Sequence, residues 1–205
     1  MIISVTPNLL DRLLIIRANI AMLIEQSKYT VFLTENEFEI RDYESYILAE
    51  TNVVGEFDDA GERAFNRLYW FISGDNLPCE KKSRAMPISL RSKSEKIKMT
   101  SPVFLQSGEG KWSVSFMMPA SYNLDNLPQP ADYGIKVRQI PARRMATVRY
   151  TSFWSLKSYL KNQLTLESWI KKVGLTTSGD PVWARYSEPY TPWFWRRNEV
   201  MIPIN

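Results

Sequence analysis

The sequence predicts an α+β fold: a twisted antiparallel β-barrel from two ββαββ halves, a helix flanking each half, and an extra N-terminal helix. Three observations carry this expectation. Short runs of alternating apolar and polar residues recur along the chain, usually in pairs. Two longer stretches place apolar residues three and four apart between recognisable caps. The order strand–strand–helix–strand–strand then occurs twice, on either side of the Pro-rich connector NLPQPADYG (126–134). Each half, about 28–119 and 133–204, is too small to bury a good core alone, so the two are expected to share one body.

The chain opens with Thr6-Pro7, a helix start with Thr as N-cap and Pro at the first helical position. The helix is expected to run to about Gln26. Leu9, Leu13, Ile16, Ile20 and Leu23 share one face, and Asn8, Asp11, Arg12, Asn19 and Gln26 another. Residues 1–27 thus read as an amphipathic extension ahead of a domain spanning 28–205. Asp11, Arg12 and Arg17 interrupt the apolar run, against both a membrane-spanning helix and a signal peptide. Such a helix packs on the domain, on a partner or on a membrane surface.

In the first half, Tyr29–Thr34 is a strand, and 37–45 and 46–55 form a pair. A helix follows, capped by Asp58 or Asp59 and stopped near Ser73-Gly74. Ala60, Ala64, Leu68, Phe71 and Ile72 form its core stripe, widened by Phe65 and Tyr69. Asp59, Arg63, Asn66 and Arg67 form the polar face, and Trp70, a large apolar side chain, lies among them. A polar loop at about 75–95 leads to strands near 97–106 and 111–118. Alternation places Ile97, Met99 and Ser101 on one side of the first of these.

The second half repeats the pattern. IKVRQI (135–140) and RMATVRYT (144–151) are strands. The next helix is capped by Ser155 and ends before Gly174, with Leu156, Tyr159, Leu160, Leu164 and Val173 as its inner stripe and Trp169 and Ile170 alongside. PVWARY (181–186) and NEVMIPI (198–204) close the fold.

Composition narrows function. The chain has 205 residues and net charge +4, with both signs interspersed and no Lys/Arg run, which gives nucleic-acid binding little support. A single cysteine, Cys79, excludes an internal disulfide. The absence of histidine excludes a His-based triad and a His-ligated zinc or haem iron. Glu39, Asp42, Glu44 and Glu50 match no metal loop and are expected in cross-strand ion pairs. PYTPWFWRRNEV (189–200) reads as a structural corner whose arginines pair with acids such as Glu50 or Glu199.

Several stretches occur together in a known order: FEIRDYESYILAET (38–51), FDDAGERAFNRLYWFISGDN (57–76), SEKIKMTSPV (94–103), VSFMMPASY (114–122) with LPQP, and PYTPWFWRRNEVMIPI (189–204). In these the chain resembles the SOUL family of haem-binding proteins, from about Tyr29 to Ile204. The resemblance implies a twisted barrel with two flanking helices and noncovalent binding of haem or another tetrapyrrole. Iron ligation by histidine, used by some members, cannot carry over. Other members grip the porphyrin through apolar contacts on the first helix, with basic side chains on the propionates. Two such basic positions fall here on Glu62 and Trp70, and Arg63 and Arg67 are expected to substitute.

Arg63, Asn66, Arg67, Trp70 and Met99 are therefore the expected ligand-binding residues. An indole stacks on a flat ring, and guanidinium groups bind carboxylates bidentately. Trp70 has a competing reading, in which the N-terminal helix or the 75–95 loop covers it. Cys79, Met117, Met118 and the tyrosines are the remaining side chains able to reach an iron. The leading expectation is a non-enzymatic cytoplasmic carrier or buffer for a small, hydrophobic, anionic tetrapyrrole, with no other metal and no nucleic-acid partner. The N-terminal helix would supply membrane-surface or protein contact and make the protein peripheral to a membrane. The alternatives are an enzyme that modifies a tetrapyrrole or removes its metal, and a small-molecule-sensing interaction module.

Overall fold

Short alternating runs give eleven strands among the described residues. The computed structural model describes residues 24–79, 94–108 and 110–205. Nine strands form one sheet: β1 (Tyr29–Glu35), β2 (Phe38–Tyr43), β3 (Tyr46–Val54), β5 (Val103–Gly108), β6 (Lys111–Met117), β8 (Ile135–Ile140), β9 (Arg143–Tyr150), β10 (Val182–Arg185) and β11 (Asn198–Pro203). Two short strands, β4 (Asn76–Leu77) and β7 (Gln129–Pro130), pair separately. The helices are α1 (Phe57–Ser73) and α2 (Leu156–Lys172).

The sheet order is β1-β2-β9-β11-β10-β5-β6-β3-β8, antiparallel throughout. Exchanging β2, β3, β5 and β6 with β8, β9, β10 and β11 reverses the order of those eight strands and leaves their pairings unchanged. Where the sequence predicts a twisted antiparallel β-barrel, the sheet is a curled antiparallel half-barrel with β1 and β8 as its edges. Alternation specifies which faces are buried. It carries no information on whether two edge strands meet, which depends on strand tilt and stagger.

Both faces of the central sheet are covered. One core joins α1 and α2 to Ile40, Ala49, Phe116, Val148 and Val200. Their sequence neighbours Leu48, Met117 and Met201 point the other way, into a second core with Tyr43, Phe104 and Met145. Double burial explains why every residue of β11 is buried.

The helix ends follow local chemistry. Gly74, at φ 121°, closes α1 in a backbone conformation that L side chains rarely adopt. The N-cap position is Glu56, without a capping side chain, and Asp58 and Asp59 occupy the first turn, where the helix dipole favours them. The core stripe of α1 is as expected, with Phe57 added. For α2, the Ser155 hydroxyl accepts from the Ser158 N–H at 3.2 Å. Its inner stripe differs from the expected one: Tyr159, Leu166, Trp169 and Ile170 are buried, whereas Leu156, Leu160 and Leu164 are exposed. The helix is rotated so that its aromatic rings face inward. Tyr159 stacks on Trp183 with centroids 4.9 Å apart and Trp169 on Phe38 at 5.0 Å.

Two further expectations change. Residues 97–102 do not join the strand, which begins at Val103, because Pro102 has no N–H for a ladder. The preceding segment follows the end of α1, with Ile97 N–H donating to the Ile72 carbonyl at 2.8 Å, and Met99 turns outward while Ile97 is buried. Most of the expected N-terminal helix and of the expected polar loop, residues 1–23 and 80–93, lies outside the described residues. Ile24–Lys28 is not helical: Gln26 forms a β-bridge with Ser101, and the Glu25 carboxylate accepts from Ala120 N–H at 2.7 Å. Among the described residues no helix is long and apolar enough to cross a membrane.

The second core contains a buried ion cluster. Glu199 is inaccessible to solvent. Arg41 donates to its carboxylate at 2.7 and 3.1 Å, Arg197 at 2.8 and 3.1 Å, and the Tyr186 hydroxyl at 2.9 Å. Burial pushes the Glu199 carboxyl up, but the hydrogen bonds and charges of Arg41 and Arg197 outweigh it and hold the group below its ordinary 4.5. Because the folded-state pKa is the lower one, the resulting stability is complete above the unfolded value and is lost as pH falls through the folded value. Glu199→Gln leaves the half-buried Arg197 without its carboxylate and the buried Arg41 with Glu39 alone, and is expected to destabilise the protein by about 3 kcal/mol at neutral pH. Urea denaturation over a pH series checks this, and the variant should lose less stability than the parent on acidification.

Candidate ligand-binding site

Helical spacing places Gly61, Phe65 and Tyr69 in a row along one side of α1. This row forms one wall of a cavity of about 830 Å³. Val103 and Leu105 of β5 and Val114 of β6 line it from the sheet, and Met99 lines it from the segment before β5. The opposite wall comes from Phe153 and Trp154, just before α2, and from the segment 185–190 with Arg196. The volume lies in the range of small-molecule pockets. Gly61 contributes by lacking a side chain: a Cβ at this position meets no heavy atom within 4 Å.

Two arginines meet at Trp154. The Arg185 guanidinium lies 4.8 Å from the ring centroid and the Arg196 guanidinium 4.3 Å. The indole is fixed by its N–H, which donates to the buried Asn198 side chain at 2.9 Å, while Asn198 donates to the Ser152 carbonyl at 3.1 Å. Arg185 Nε donates to the Tyr159 hydroxyl at 2.8 Å. Burial raises the Tyr159 phenol above its ordinary range, and Arg185 opposes this. Arg196 donates to the carbonyls of Thr191 and Pro189, each at 2.7 Å. Among the described residues neither arginine has a carboxylate partner. Asp58, Glu62 and Glu188 also line the cavity, and all three are exposed, whereas Arg185 and Arg196 are half-buried.

Of the residues expected from the sequence, Met99 lines this cavity. The other four lie on the neighbouring face of α1 and do not. Arg63 donates to the Val54 carbonyl at 2.6 Å. Arg67 forms a two-point pair with Asp132, both contacts 2.7 Å, and lies so close to Gly134 that a Cβ there would meet its Nη2 at 1.9 Å. Asn66 is exposed. Trp70 is 62% exposed and meets Tyr69 edge-on at 6.2 Å, so the described residues do not cover it. Cys79 is buried, its thiol donating to the Asp125 carbonyl at 2.8 Å. Of the expected acid–base pairs, Glu50 with Arg138 and Asp42 with Arg144 form across strands and Arg197 pairs with Glu199, whereas Glu39 pairs with Arg41 of its own strand and, among the described residues, no ion pair is seen for Glu44 or Arg196.

The family model described as SOUL heme-binding protein matches residues 24–203. The chain belongs to the SOUL haem-binding protein family. The match begins at Ile24, which also lines the cavity. No curated protein sequence matches this SOUL-family chain significantly. Among solved structures it is similar to a hydrolase from Listeria innocua, with 10% identity, 85% of this chain and 94% of that one covered, and TM-score 0.55. It is also similar to the EcmrR C-terminal domain, with 13% identity, 86% and 98% covered, and TM-score 0.53. At these identities the likeness shows a shared fold.

Sequence reasoning missed Gly61, Phe153, Trp154 and Arg185, and it read Arg196 as part of a structural corner. The aromatic–arginine run at 193–197 was the available signal, but its meaning depends on Arg185, which arrives from another strand. Arg67 and Asp132 are each about one-third exposed, so Arg67→Ala is expected to cost about 1 kcal/mol or less at neutral pH. Hydrogen bonds from Arg67 and from the Gly134 N–H hold the Asp132 carboxyl below its ordinary 3.8. The small cost should therefore fade as pH falls through the folded-state value, as thermal denaturation at neutral and acid pH will show.

Proposed function

We propose that this protein is a noncovalent carrier or buffer of haem or a related tetrapyrrole, held in the α1 cavity without histidine ligation of iron. The observation that carries this reading is the pairing of aromatic walls with two guanidinium groups that have no carboxylate partner among the described residues. A flat ring with two acid side chains needs both features: Phe65, Tyr69 and Phe153 for its faces, Arg185 and Arg196 for its carboxylates. Met99 keeps the wall role expected of it. Arg185 and Arg196 take the charge-pairing role first given to Arg63 and Arg67, and Trp70 and Asn66 receive no ligand role. Family membership supports the ligand class. The exchange symmetry of the strand order supports the finer reading of the fold as two ββαββ halves.

Energetics set the affinity. Burying roughly 300–400 Å² of apolar ligand surface contributes about 7–10 kcal/mol gross. Association costs several kcal/mol, which leaves a dissociation constant in the micromolar range without a metal bond. Haemin and protoporphyrin IX are expected to bind about equally well, read as tryptophan quenching and a Soret shift. Absence of both signals up to tens of micromolar (the range set by this estimate) overturns the reading.

Gly61→Leu fills open space on the cavity side. It is expected to weaken porphyrin binding by about tenfold or more while raising or preserving thermal stability, since glycine costs a helix interior about 1 kcal/mol. Arg196→Met removes one charge-assisted bond and should lower affinity for a dicarboxylate porphyrin by roughly tenfold to a hundredfold. It should change affinity for the dimethyl ester little.

A further inference from the structure

The rotation of α2 that buries Tyr159 and Trp169 leaves a row of leucines facing outward. Leu156, Leu160 and Leu164 follow one another at four-residue spacing, and Leu164 is 63% exposed. Just before the helix, Phe153 is 59% exposed and stacks on Trp193 at 5.4 Å. Through this stack the row meets the 3-10 turn Trp193–Trp195, whose rings follow one another at 5.6 and 5.2 Å and are all exposed. An apolar and aromatic patch of this kind marks an interaction surface.

The charges around it narrow the occupant. At 100° per residue, Lys157, Lys161 and Lys171 share the outward side of α2 with the leucines. Among the described residues none of the three has a carboxylate partner. The acid of that face, Glu167, accepts a hydrogen bond from Gln163. Leucines that enter an acyl boundary, indole rings at headgroup level and unpaired lysines above them are the parts of an interfacial helix on an anionic bilayer. A second copy of this chain would bring the same lysines against one another. We infer that the outer face of α2, with Phe153 and the Trp193–Trp195 turn, docks this protein on an anionic lipid surface. Phe153 also lines the α1 cavity, so docking brings one rim of that cavity to the lipid.

The test uses the full chain and sedimentation with phosphatidylcholine vesicles, with and without phosphatidylserine, alongside tryptophan emission. The expected result is co-sedimentation with the phosphatidylserine vesicles, a blue shift, and release by added salt. Leu160→Glu with Leu164→Glu lies at exposed positions and should weaken binding by about tenfold or more without changing the circular dichroism spectrum. Lys157→Gln and Lys161→Gln should each lower binding to anionic vesicles roughly fivefold. Failure of the full chain to sediment with either vesicle overturns the inference. So does undiminished binding by the double glutamate variant, which moves the contact elsewhere, for instance to residues 1–23. A dimer in light scattering that Leu164→Glu converts to monomer also overturns it, by giving this face to a second copy.

Discussion

A single buried carboxylate organises much of this molecule. Glu199 sits in β11 at the middle of the sheet, where water is excluded, and it is acceptable there because two guanidinium groups and a phenol surround it. Arg41 brings in β2, and its contacts with Tyr43 and with the face of Tyr29 extend the cluster to β1. Arg197 and Tyr186 bring in the chain on either side of the loop that follows β10. Arg41 and Arg197 both reach the one buried carboxylate, so a shift of either strand segment costs it a charged partner. The cluster therefore constrains register and loop position together, which apolar packing alone specifies less sharply.

That constraint reaches the cavity. Tyr186, which anchors Glu199 on one side, lines the cavity on the other. The loop held between Tyr186 and Arg197 carries Glu188, Tyr190 and Arg196 to the cavity wall. Asn198, the neighbour of Glu199, fixes Trp154, against which Arg185 and Arg196 both lie. The wall opposite α1 is thus supported by the strand that holds the buried ion pair. Cavity walls set on such rigid supports place polar groups for a ligand at little further entropic cost.

The elements were legible from sequence where local chemistry decides them. The caps at Ser155 and Gly74 and the inner stripe of α1 follow from hydrogen bonding and backbone sterics within a few residues. The inner stripe of α2 was not legible. Leucines and aromatics compete for its core side, and the outcome depends on Trp183 and Phe38, which lie far away in sequence. The start of β5 shifted for a local reason, the missing N–H of Pro102, that alternation alone does not weigh.

By itself, the sequence determined that this chain builds an α+β sheet with two amphipathic helices, and that no imidazole is available to hold an iron. Both follow from residue identity and short-range periodicity. Tertiary structure alone decided that the sheet stays open, that the cavity lies along Gly61, Phe65 and Tyr69 instead of beside Trp70, and that Arg185 and Arg196 converge on one indole. Those outcomes depend on which strands pair and how the sheet coils, and periodicity within one element carries no record of its distant neighbours.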